Sequence, residues 1–153
     1  MREYLTQNEQ PRQVFGDWGV HYRYTYGVAG ERFFRELKDH GHLVASKCPQ
    51  CGRRFLPPSL YCEDCFVEMS EYAPVSGPGT VHSFTVVHES LEETCLAEPI
   101  VAAFVTFEGV TGGLLAPIKG VAPQQVAIGM KVQPVVETAR PTHSICDLSW
   151  RPA

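Results

Sequence analysis

The chain has 153 residues, 44% of them hydrophobic and 20% charged, with a formal net charge of −4. That length suits one ordinary domain or two small ones with a real core, and an acidic balance argues against a duplex nucleic-acid protein, which would be basic. The longest strongly apolar run, Pro99 to Phe107, is nine residues, less than half of the roughly 20 that a membrane-crossing helix needs. The chain opens on Met1-Arg2-Glu3-Tyr4-Leu5-Thr6, which is not an export signal, so its cysteines are expected to be reduced and its location cytoplasmic.

The first zone, 1–41, begins polar and turns aromatic through Phe15, Trp18, Tyr22, Tyr24 and Tyr26. A helix follows. Phe33, Phe34 and Leu37 form an apolar stripe at helical spacing, Gly30 stands before it, and Gly41 is placed as the glycine that ends it. The tyrosine run is either a partner interface or cover for the core. Its richness in tyrosine and arginine and its poverty in aliphatic residues favour an interface over Tyr22, Tyr24 and Tyr26.

The second zone, 42–72, contains Cys48-Pro49-Gln50-Cys51 and Cys62-Glu63-Asp64-Cys65, separated by ten residues. A two-residue gap turns both thiolates of a knuckle toward one ion, and two knuckles complete a closed four-sulfur shell with no open catalytic position. Structural zinc is expected, with iron of the rubredoxin type as the alternative. Four bound thiolates around one dication would lower the net charge by about two. Gly52 follows the first knuckle and permits a positive φ there, whereas Phe66 occupies the same place in the second. About 30 residues cannot build a self-sufficient core, so the metal is expected to hold this zone. Between the knuckles, Arg53-Arg54-Phe55-Leu56 reads as a short strand stopped by Pro57-Pro58.

The third zone, 73–153, is β. Strands are expected over Thr80–His88, Pro99–Phe107, Gly113–Ile118 and Met130–Val136, with a helical turn over Ala122–Gly129. Both alternating sets of Ile100–Phe107 are apolar, so both faces of that strand should be covered. The interior of a small closed barrel would account for one face.

Taken together, Gly41-His42-Leu43, the two knuckles, Phe55-Leu56-Pro57-Pro58, Gly77-Pro78-Gly79-Thr80-Val81-His82-Ser83-Phe84-Thr85, Glu98-Pro99-Ile100-Val101-Ala102, Ile128-Gly129-Met130-Lys131-Val132 and Trp150-Arg151-Pro152 resemble a known family in order and spacing. It is the family of small proteins with a rubredoxin-like zinc ribbon and an acyl-CoA-associated OB-fold, partners of thiolases and hydroxymethylglutaryl-CoA synthases. The resemblance covers about residues 24 to 152, and within the family it is nearest to the small subunits of benzoylsuccinyl-CoA thiolases of anaerobic toluene breakdown. Two positions depart from the family pattern: Ser59 stands where arginine often follows the double proline, and Met69 or Ser70 where an aromatic residue precedes the barrel. The first weakens any inference of a phosphate contact at that place.

The resemblance implies a mainly β protein: an N-terminal helical segment, a zinc ribbon and an OB-fold barrel with a C-terminal tail. It also implies a subunit that is not catalytic alone and docks on a thiolase-fold catalytic subunit, sharing a coenzyme A thioester with it. Arg53 and Arg54 are either a grip on coenzyme A phosphates or a solvated pair. His82 and His88 are expected to pack, because six residues of strand separate them by about 20 Å. Cys95 and Cys146 lack an activating neighbour and are expected to be buried small hydrophobes. The alternative function is a single-stranded nucleic-acid module, since ribbons and OB-folds both bind such strands. An independent zinc hydrolase would need a vacant ligand position, and all four sulfurs are used.

Overall fold

The computed structural model describes Gly16, Gly19 and residues 24–90, 95–139 and 144–153. Helix α1 (Gly27–His40) buries Ala29, Phe33 and Leu37, one residue per turn on a single face. It begins earlier than expected, so that Gly30 lies inside it, and it ends at Gly41, whose left-handed φ of 67° lets its N–H reach the Leu37 carbonyl at 3.0 Å. The Arg32 guanidinium lies 4.7 Å from the centre of the Tyr72 ring.

Eight strands follow: β1 (Val44–Lys47), β2 (Arg54–Leu56), β3 (Glu71–Pro74), β4 (Gly79–Glu89), β5 (Cys95–Thr106), β6 (Thr111–Ile118), β7 (Lys131–Val136) and β8 (Leu148–Pro152), with a 3₁₀ turn over Pro123–Gln125. They are ordered β3-β1-β2-β6-β5-β4-β7-β8. A short parallel contact, Ile118 with Trp150, returns β8 to β6 and makes β4 to β8 an OB-like barrel. The ribbon sheet joins it through the parallel pairing of β2 with β6, Phe55 with Thr111 and Leu56 with Gly112.

The core fills the barrel with Val81, Val101, Ala103, Val105, Leu114, Ala116, Val132, Leu148 and Trp150, and runs on without a break into Phe33, Leu37, Leu43, Val44, Ala45 and Leu56. A second, much smaller cluster of Cys48, Phe55, Cys62 and Met69 lies beyond it. The near half of the ribbon zone is therefore held by the barrel core, and only the knuckle half is left to the metal. This narrows the expectation that metal holds the whole of 42–72.

Strand β5 is fully buried only on its inner face. Val101, Ala103 and Val105 are buried, while Ile100 on β5 and Leu115 on β6 remain 47% and 60% exposed. The second face is covered only in part: Ala102, Phe104 and Thr106 are half-buried, with the Phe104 ring 6.1 Å from that of His82, and α1 packs beside β1. Before Val101, β5 has no β6 partner and meets β4 only at Ile100 with Val87 and Cys95 with Glu89, Leu96–Pro99 lying in the irregularity between these pairs. In this two-stranded arm the missing N–H of Pro99 leaves no ladder bond unmade on the open side.

Candidate metal centre

The two knuckles are built alike. The Gly52 N–H donates to the Cys48 carbonyl and the Phe66 N–H to the Cys62 carbonyl, both at 3.0 Å. In return the Cys48 N–H donates to the Arg53 carbonyl at 2.8 Å, and the Cys62 N–H to the Val67 carbonyl at 3.0 Å. Each ring turns through a left-handed residue four places after its first cysteine, Gly52 at φ 74° and Phe66 at φ 54°. The hairpin between them folds one knuckle onto the other, and the Met69 N–H reaches the Leu60 carbonyl at 2.7 Å.

All four sulfurs consequently lie within 4.8 Å of one another, with the Cys51 and Cys62 sulfurs 3.8 Å apart. A tetrahedral ion with metal–sulfur bonds of about 2.3 Å sets its sulfurs about 3.8 Å apart, so the donor set fits. Cys48 and Cys62 are buried, Cys65 half-buried and Cys51 exposed. The Cys51 N–H, 3.4 Å from the Cys48 sulfur, draws that thiol down to about 6, whereas burial pushes the Cys65 thiol up to about 12. One sulfur thus ionises readily and its neighbour resists, which is how crowded thiols behave until a cation stabilises all of them as thiolates. The set is closed: it can fix a fold, and it leaves no ligand position for a reacting water.

Arg53, just before β2, and Arg54, its first residue, make separate contacts. The Arg53 guanidinium bridges to Glu63 at 3.2 Å and to Asp64, tying the first knuckle to the second, and lies 5.2 Å from the centre of the Phe55 ring. Arg54 donates to the Pro74 carbonyl at 2.8 Å, and its Nε is buried with no hydrogen-bond partner among the described residues. At the two departures from the family pattern, the Ser59 N–H donates to the Oγ of buried Ser46 at 3.0 Å, and Met69 is fully buried in the ribbon cluster.

The remaining candidates are scattered. Tyr24 and Tyr26 are 82% and 62% exposed, and Tyr26 meets Phe34 edge-on at 5.2 Å; Tyr22 lies outside the described residues. His82 and His88 do not pack in the core. Both are exposed: His82 is the extra residue of a bulge on β4, between the pairs Val81–Val105 and Ser83–Phe104, whereas His88 lies opposite an irregularity whose extra residues belong to β5, between the pairs Val87–Ile100 and Glu89–Cys95. Cys95 and Cys146 are both exposed, which corrects the expectation of burial: one opens the protruding arm of β5 and the other sits in the turn Ile145–Asp147. Phe66 was visible in the sequence as a departure from glycine, but its left-handed φ and its 82% exposure emerge only from the structure.

The family model for the ChsH2 rubredoxin-like zinc ribbon domain matches residues 35–70, and that for the ChsH2 C-terminal OB-fold domain matches residues 72–137. A DUF35 domain-containing scaffold protein of Methanothermobacter thermautotrophicus is 30% identical over 110 residues, which cover 71% of this chain and 82% of the relative. A second, from Methanocaldococcus jannaschii, is 29% identical over 105 residues, covering 68% and 74%. Among solved structures, a DUF35-family protein of unknown function from Sulfolobus solfataricus aligns with a TM-score of 0.67 at 32% identity, over 83% of this chain and 87% of its own. A chain of a structure described as an Ltp2-ChsH2(DUF35) aldolase aligns with a TM-score of 0.67 at 26% identity, over 85% of this chain and 98% of its own.

Proposed function

Because this chain belongs to the DUF35 scaffold family, with the zinc ribbon and OB-fold domains of ChsH2, we propose that it is the non-catalytic subunit of a hetero-oligomeric acyl-CoA enzyme. Its partner is a thiolase-fold catalytic subunit, and the pair carries out thiolytic cleavage or Claisen-type condensation. The observation that carries the reading is the closed four-sulfur centre: the densest cluster of reactive side chains described is spent on structure. Zinc is the proposed occupant. The description of the aldolase neighbour pairs a DUF35 chain with Ltp2, which supports assembly with an enzyme that makes or breaks a carbon–carbon bond. Benzoylsuccinyl-CoA is the proposed acyl substrate, on the sequence resemblance stated above.

The charge at the knuckle disfavours the single-stranded nucleic-acid alternative. The exposed knuckle presents Glu63, Asp64 and Glu68, and the nearest arginine, Arg53, is already shared between two of these carboxylates. A strand of phosphates would be repelled there.

The test is reconstitution. Thioester cleavage is measured for this chain alone, for the thiolase-fold subunit alone and for the two mixed. Activity is expected only when that subunit is present and to rise on mixing, and Cys95→Ala and Cys146→Ala are expected to leave the mixture within a few-fold of wild type. Loss of a true nucleophile costs orders of magnitude, so a collapse in either variant contradicts the reading.

A further inference from the structure

Phe66 is the one described residue other than glycine with a positive φ, 54°. A bulky side chain is disfavoured in that backbone region, and the matching place in the first knuckle is held by Gly52. Its N–H closes the knuckle on the Cys62 carbonyl, as that of glycine would, and among the described residues its side chain has no core packing to offset the backbone cost. Phe66 is 82% exposed and belongs to neither core cluster, and Cys51 remains exposed, so the ring does not cover that ligand. Strain held at an exposed aromatic residue, where glycine would fold better, points to a contact outside the chain. Tyr61, 58% exposed, is on the same hairpin, bridged to Glu68, and aromatic residues of this kind dominate binding energy at interfaces.

The surrounding charge identifies the partner surface. Glu63, Asp64 and Glu68 are exposed around the knuckle, and Arg53 is the cation set against them. A second copy docking knuckle to knuckle would bring carboxylates against carboxylates. The complement is an apolar pocket bordered by lysine or arginine. Resting on the scaffold reading above, we infer that the second knuckle is the docking point for the catalytic subunit, with Phe66 inserted into a basic-rimmed apolar pocket of that subunit.

Phe66→Gly and Phe66→Asn both suit a left-handed backbone and remove the ring. Each is titrated by calorimetry against the thiolase-fold subunit that purifies with the wild-type chain. Both variants are expected to bind at least tenfold more weakly, to keep full metal content, and, for Phe66→Gly, to melt no lower than wild type. Wild-type binding is expected to weaken as salt is raised to about 0.5 M. A loss smaller than tenfold, salt-independent binding, or a loss accompanied by released metal or a lower melting temperature overturns the inference. So does a wild-type self-dimer, or single-stranded DNA binding, that disappears with Phe66. If the wild-type chain binds no thiolase-fold subunit, the scaffold reading falls; if wild type and both variants bind alike, only the anchor falls.

Discussion

Phe55 and Leu56, consecutive on one short strand, face two different cores. Leu56, 1% exposed, closes the barrel core, and Phe55, 6% exposed, packs among Cys48, Cys62 and Met69 in the small cluster at the knuckles. Strand alternation makes β2 the hinge between a half of the ribbon that hydrophobic burial can hold and a half that it cannot.

Removing the metal should therefore unfold part of the chain. The small cluster of Cys48, Phe55, Cys62 and Met69 cannot bury enough apolar area to replace metal binding, which supplies on the order of 10 kcal/mol or more in small structural sites. With Cys48→Ser or Cys62→Ser, or after chelation, the amides of Cys62, Phe66 and Met69 are expected to lose hydrogen-exchange protection. Those of Val81, Val105 and Val132, inside the barrel, should keep theirs. Retained protection at the knuckles would mean that the sulfurs do not depend on an ion.

The join between ribbon and barrel rests on Gly112. Its φ is 87°, and a Cβ there would strike the Leu56 carbonyl oxygen, whereas Gly120, at φ 77°, has nothing within 4 Å of that position. Gly120→Ala should cost about 1 to 2 kcal/mol from backbone strain alone. Gly112→Ala adds a clash at the strand pairing and should exceed it by at least about 1 kcal/mol. Chemical denaturation of the two variants side by side measures the difference, and equal losses would remove the close approach of β2 and β6 as a source of stability.

Arg53 and Arg54 make separable predictions for coenzyme A. Arg53 would have to leave Glu63 and Asp64 to hold a phosphate, whereas Arg54 is bound only through the Pro74 carbonyl among the described contacts. A charge-assisted contact to phosphate contributes about 1.5 to 3 kcal/mol. In the assembled complex the double variant to alanine is expected to raise KM for the CoA substrate at least tenfold, with Arg54→Ala accounting for most of it. Unchanged kinetics would place coenzyme A recognition wholly on the partner.

The metal centre was legible in the sequence because cysteine spacing encodes a local turn: two residues between thiolates determine the knuckle wherever it sits. The glycine end of α1 at Gly41 and the inner face of β5 were legible for the same reason, since each depends on near neighbours. Strands β1, β3 and β8 were not read, because at four or five residues they carry too little alternation, and β8 ends in Pro152. The bulge at His82 and the irregular pairing opposite His88 depend on how β4 meets β5, and the exposure of Cys95 on an arm that outruns its neighbour strand β6; both are long-range facts. Phe66 lies between these cases. Its residue type is local and visible in the sequence, but its meaning depends on a backbone angle that is ordinary for glycine.

Binding of this chain by a catalytic subunit is tested by affinity purification of the tagged protein from its native cells. The co-purifying chains are identified by mass spectrometry and the assembly is weighed intact. A stoichiometric complex with a thiolase-fold enzyme is expected, with zinc bound to this chain. Recovery of the chain alone, or chiefly with nucleic acid, would contradict the account.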